Sequence, residues 1–121
     1  MYFQFQEQPQ QGATWSPVVD VCERTDEIVI FVEMPGVDRS DVQLSWNEGV
    51  LIISGLKRQK GAGEGAATYL CVERAYGHFR RDIPVKVPID HKRAKAELKN
   101  GLMKIYLPKR TEAEVITIPI L

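Results

Sequence analysis

Long apolar runs are missing from this 121-residue chain. None approaches the ~20 residues that a membrane-crossing helix needs, so no membrane role is expected. Net charge is missing too. Sixteen basic residues balance sixteen acidic ones, which gives no electrostatic case for nucleic acid or an anionic surface. Cysteine is scarce: Cys22 and Cys71 alone make neither a disulfide framework nor a zinc site. Histidine is scarcer in use, since His78 and His91 stand in no ligand-like spacing. There is no phosphate-binding glycine loop followed by Lys-Ser/Thr and no nucleophile elbow around any serine. The carboxylates form no evident pair. The expectation is therefore not an enzyme, with no cofactor and no metal. Residues 1–11 show neither a basic n-region nor an apolar h-region, so no export is expected and a cytoplasmic location with reduced thiols follows.

Helical periodicity is the last absence, and short strands take its place. Pro17 leads into Val18, Val19 and Val21. Residues 28–32 (IVIFV) form a β-branched run that Pro35-Gly36 closes. Val42, Leu44 and Trp46 alternate with Gln43 and Ser45, as in a half-buried strand. Residues 50–53 follow across Asn47-Glu48-Gly49. Ala94, Ala96 and Leu98 alternate with charged residues, then Asn100-Gly101 gives the strongest hairpin signal in the chain. Met103, Ile105 and Leu107 alternate with Leu102, Lys104 and Tyr106. Residues 69–72 read as a further short strand, and 79–87 as an extended run that Pro84 pushes towards a sheet edge or a bulge. Seven or eight short strands with regular turns predict an all-β fold, an immunoglobulin-like antiparallel β-sandwich.

Three regions follow: a loose arm over 1–16, the sandwich over 17–110 and an extension over 111–121. Between 57 and 67 the chain holds Gly61, Gly63 and Gly65 and little to bury, a longer loop than most hairpins use. The extension ends Val115-Ile116-Thr117-Ile118-Pro119-Ile120-Leu121. Ile116, Ile118 and Ile120 share one face of an extended chain. Either they form a last edge strand of the same core, or they fill a groove on another subunit by strand addition.

Several blocks, in order, resemble the small heat-shock proteins built on the alpha-crystallin domain, of the bacterial and plant type. They are Val18-Val19-Asp20-Val21, Val32-Glu33-Met34-Pro35-Gly36-Val37, Leu51-Ile52-Ile53-Ser54-Gly55 and Glu73-Arg74-Ala75-Tyr76-Gly77-His78-Phe79-Arg80-Arg81. The most specific is Ala96-Glu97-Leu98-Lys99-Asn100-Gly101-Leu102-Met103, similar to the family's Ala-x-x-x-Asn-Gly-Val-Leu. Leu107-Pro108-Lys109 follows, and the tail carries the family's Ile-x-Ile twice.

The resemblance implies an ATP-independent chaperone that holds unfolding client proteins and assembles from homodimers into higher homo-oligomers. It implies a strand-exchanged dimer, in which residues 67–73 of one subunit pair with 17–23 of the other. Val19, Val21, Tyr69, Cys71, Glu73, Arg74 and Arg81 are the expected interface residues; the alternative is a loop that folds back on its own chain. It implies a groove for tail or client lined by Val42, Leu44, Trp46, Ala94, Ala96 and Leu98, with core packing as the other reading of Trp46. Cys22 and Cys71 fall on the two exchanging segments, and whether they pair between subunits is left open. The competing function is a partner-binding or assembly-only sandwich module without client-holding activity.

Overall fold

The computed structural model describes residues 12–59, 67–111 and 117–121. Seven strands run in the order β1 (Val19–Glu23), β2 (Glu27–Glu33), β3 (Val42–Asn47), β4 (Val50–Lys57), β5 (Gly77–Pro84), β6 (Lys95–Lys99) and β7 (Leu102–Pro108). Two short 3-10 turns, η1 (Arg39–Asp41) and η2 (His91–Arg93), precede β3 and β6. The strands form two antiparallel sheets, β1-β2-β7-β6 and β3-β4-β5. This is the antiparallel sandwich expected from the alternating sequence.

The hairpins show how local chemistry fixes register. Glu48 and Gly49 both take positive φ (47° and 81°), as do Asn100 and Gly101 (54° and 76°). Paired positive φ values belong to the two-residue turn whose twist matches that of its strands. They set Asn47 opposite Val50 and Lys99 opposite Leu102. Each hairpin thereby places its apolar set on one face, because a slip of one residue would turn every side chain over.

The core lies between the sheets. Ile30, Val32, Ile53, Phe79, Ile105 and Leu107 are all essentially buried. β7 alternates strictly, with Met103, Ile105 and Leu107 buried and the residues between them half-buried. β2, the other central strand of that sheet, is more continuously apolar, with Val29 buried as well as Ile28 and Ile30. Gly55 is required by close approach, since a Cβ there would strike the Asp41 carbonyl and come within 2.7 Å of Phe79 Cζ. Pro84 is the last residue of β5, an edge strand, where its missing N–H costs no ladder bond.

Two regions differ from the sequence expectation. Residues 69–72, read as a strand, join no ladder among the described residues. The run is short, and none of the seven strands pairs with it. Thr14 and Trp15, read as part of a loose arm, are fastened to the sandwich. The Thr14 N–H donates to the His78 carbonyl at 2.8 Å, and its hydroxyl donates to the Tyr76 carbonyl at 2.8 Å. The Trp15 Nε1–H donates to the Gly77 carbonyl at 3.1 Å, and its ring packs 5.0 Å from that of Phe79. The rest of the expected arm, 1–11, and the glycines of 60–66 lie outside the described residues.

Candidate functional site: an apolar cleft between two edge strands

β3 and β6 are both edge strands, one from each sheet. Where their edges meet, a cleft of about 250 Å³ opens onto the core. Leu44 and Trp46 come from β3, and Ala94 and Ala96 from β6 and the residue before it. Leu51, Ile105 and Leu107 form the floor, and Ser45, His91 and Lys95 the remaining walls. The cleft exists because the two alanines are short. A larger side chain at either place would close it against the leucines, as filled interiors do elsewhere.

Four of the six groove residues expected from sequence therefore come together: Leu44, Trp46, Ala94 and Ala96. Val42 and Leu98 lie outside this lining, half-buried against the core. Trp46 takes both of its readings at once, lining the cleft and packing on the core. Sequence reading placed the floor residues on strands without linking them to the groove, and missed His91, which reaches the cleft because η2 turns the chain immediately before Ala94.

The described end of the tail, residues 117–121, does not occupy the cleft of its own chain. Ile118 and Ile120 are 80% and 99% exposed. Ile116 lies outside the described residues. A larger depression of about 480 Å³ lies beside Gly12 and Ala13 on the β3-β4-β5 sheet. Polar and charged residues, among them Ser40, Asp41, Gln43, Arg58 and Arg80, supply about half of its lining, so it suits isoleucine less than the cleft does. Arg58 is held by Asp41 (2.9 Å) and Arg80 by Asp82 (2.8 Å). Those hydrogen bonds push both guanidinium pKa values up, so both arginines stay charged.

The residues expected at a dimer interface fall on two separate surfaces of the chain. β1 is an edge strand whose outer side has no ladder partner. Val19 packs partly on the core, whereas Val21 and Cys22 are exposed. Tyr69, Cys71, Glu73 and Arg74 lie on the segment without a ladder, where Leu70 is 97% exposed. The Arg74 guanidinium sits 5.1 Å from the Tyr76 ring. Arg81 bridges toward β1, its Nη1 donating to the Pro17 carbonyl at 3.4 Å. Among the described residues, no three His, Cys, Asp or Glu side chains are grouped as metal ligands, and no helix is long and apolar enough to cross a membrane.

Comparison with known proteins agrees with this architecture. Residues 20–121 match the Hsp20/alpha crystallin family model. Heat shock protein 16 of Schizosaccharomyces pombe is 39% identical over 97 residues, covering 78% of this chain and 66% of the relative. Spore protein SP21 of Stigmatella aurantiaca is 30% identical over 98 residues, covering 81% of this chain and 57% of the relative. The chain thus spans about three-fifths of the length of these curated relatives. Among solved structures, heat shock protein 16.0 of S. pombe superposes with a TM-score of 0.72 at 34% identity, covering 88% of this chain and 98% of that one. A small heat-shock protein of Xylella fastidiosa, described as having a distinct high order structure, gives 0.74 at 28% identity, covering 89% and 98%. With its two-sheet sandwich and a match over residues 20–121, the chain belongs to the Hsp20/alpha crystallin family, the small heat shock proteins.

Proposed function

We propose that this chain is an ATP-independent holdase that binds unfolding proteins and keeps them from aggregating, and that it works as an assembly of dimers. The observation that carries this is the set of surfaces the single chain leaves uncovered. Exposed apolar residues lie at Leu70, Val72, Ile118 and Ile120, close in sequence to structures that could not cover them locally. An open strand edge at β1 and an apolar cleft between β3 and β6 are the complementary surfaces. Unfilled apolar surface of this kind marks interaction sites.

The dimer forms by exchange. Residues 67–73 of one subunit add to the open edge of β1 in the other, over residues 17–23. Strand addition supplies backbone hydrogen bonds that both segments otherwise give to water. Val19, Val21, Tyr69, Cys71, Glu73, Arg74 and Arg81 belong to this interface. The assembly forms through the tail. Ile116, Ile118 and Ile120 of one copy enter the cleft of another at Leu44, Trp46, Ala94 and Ala96, with Val42 and Leu98 at its margins. Exposed client segments compete for the same cleft. Exposed thiols at Cys22 and Cys71 suit a reducing, cytoplasmic setting.

The test is light scattering from a heat-unfolding model protein in ATP-free buffer. Suppression at near-stoichiometric ratios is expected. A well-folded, assembled sample that leaves scattering unchanged would overturn the holdase reading in favour of an assembly-only module.

A further inference from the structure

The three isoleucines at 116, 118 and 120 are evenly spaced, so their side chains alone fit a cleft almost equally well in either direction. Something else must fix the direction of the tail. The residues ahead of the motif supply it. Glu112 and Glu114 have the same parity as Ile116, Ile118 and Ile120. In an extended chain, residues two apart line one face. A tail docked in extended form would thus carry both carboxylates on the side on which the isoleucines enter the cleft. At about 3.3 Å per residue, they trail the first isoleucine by about 7 and 13 Å.

The cleft has one basic end. Its Ala94 end is preceded by η2, His91-Lys92-Arg93, and all three residues are exposed. His91 lines the cleft itself. Among the described residues, neither Lys92 nor Arg93 has an ion-pair partner. Lys95 also lines the cleft, but its Nζ lies 5.4 Å from the centre of the Tyr106 ring. Lys99, at the other end of β6, has the parity of Lys95 and Glu97 and so faces away from the side of Ala96.

We infer that charge orients the docked tail: Glu112 and Glu114 of one copy pair with Lys92 and Arg93 at the η2 end of another copy's cleft. This rests on the tail-in-cleft reading above and adds its direction and its selectivity. The isoleucines supply affinity through burial, and the charges reject the reversed register. In the reversed register the two carboxylates leave the basic end and lose both pairs, and that difference in affinity sets the direction. Because the pairs are exposed, salt weakens them.

The experiment uses the full chain carrying Ile118→Ala and Ile120→Ala, so that its own tail no longer competes. A labelled peptide of residues 111–121 is titrated against it by fluorescence anisotropy at low salt. Replacing Glu112 and Glu114 by lysine in the peptide is expected to weaken binding about five-fold, the combined effect of two exposed pairs. Adding Lys92→Glu and Arg93→Glu to the protein is expected to restore it, and high salt to erase the difference. Equal binding of native and charge-reversed peptides at low salt overturns the inference. So does failure of the double reversal to restore binding. If the native peptide does not bind, or binds no better than one carrying Ile118→Ala and Ile120→Ala, the tail-in-cleft reading itself falls. The peptide variants need no folding, so a protein variant that misfolds leaves the first comparison intact.

Discussion

β1 and β6 are the two edge strands of the same four-stranded sheet, yet they leave different things unfinished. Along β1 the unfinished part is backbone. Its outer N–H and C=O groups have no ladder, while Val19 already packs partly on the core. Beside β6 the unfinished part is side-chain volume. Ala94 and Ala96 leave about 250 Å³ over the apolar floor of Leu51, Ile105 and Leu107. A missing ladder selects an extended strand of almost any sequence, and a missing volume selects particular knobs. Exchange at β1 should therefore be strong and permissive, and tail docking at β6 weaker, reversible and sequence-selective. That division suits the proposed function, in which dimers would persist while the assembly rearranges around clients.

Four changes would break or sharpen this contrast. The largest effect is expected from Val72→Pro. It removes an N–H and fixes φ within the exchanged segment, but touches no ladder of the chain itself. Light scattering after size exclusion should show dimers dissociating at concentrations at least a hundred-fold higher, with the melting profile of the sandwich kept. Dimers of unchanged stability would refute exchange through this segment.

Next comes Ile118→Ala with Ile120→Ala. Fully burying each isoleucine contributes about 1.5–3 kcal/mol before the costs of association. Native mass spectrometry should show the larger assemblies giving way to dimers, and an undiminished mass would remove the tail from the assembly. Ala96→Leu tests the same contact from the other side. It fills the cleft without entering the core, so the melting temperature should move by about a degree while tail binding and suppression of aggregation both fall. If suppression survives and tail binding does not, clients use another surface.

The smallest effect concerns the join between the two regions. Trp15 touches both roots of the long connection after β4. Its Nε1–H bonds to Gly77, and the Lys57 Nζ lies 5.8 Å from its ring. Trp15→Phe keeps the ring and loses the donor, which costs about 1 kcal/mol. Hydrogen exchange of the amides over residues 76–80 should quicken about five-fold. Unchanged exchange would mean that the indole only fills space.

Much of this was legible in particular residues. Asn100-Gly101 announced its hairpin because few other pairs accept two positive φ values. The alternation of Met103, Ile105 and Leu107 announced a buried face because a strand turns every second side chain the same way. The alanines of the cleft could be read as small, but not that Val42 and Leu98 would turn to the core while His91 reached the opening. That depends on how the two sheets cross and where η2 turns, which no local pattern encodes. Trp15 was misread for the same reason: a tryptophan after a glutamine-rich stretch looks loose until Phe79, 64 positions on in the chain, lies beneath it.

By itself, then, the sequence determined seven of the strands, the two tight hairpins, the alternation along β7 and the isoleucine spacing of the tail. These follow from steric limits on φ and from the two-residue repeat of a strand, both of which act over a few residues. Only the tertiary structure decided that β3 and β6 would lie edge to edge over an apolar floor, that residues 69–72 would pair with none of the seven strands, and that Trp15 would pin the connection between β4 and β5. Those outcomes depend on contacts between residues far apart in sequence, whose geometry exists only once both sheets have packed on one core.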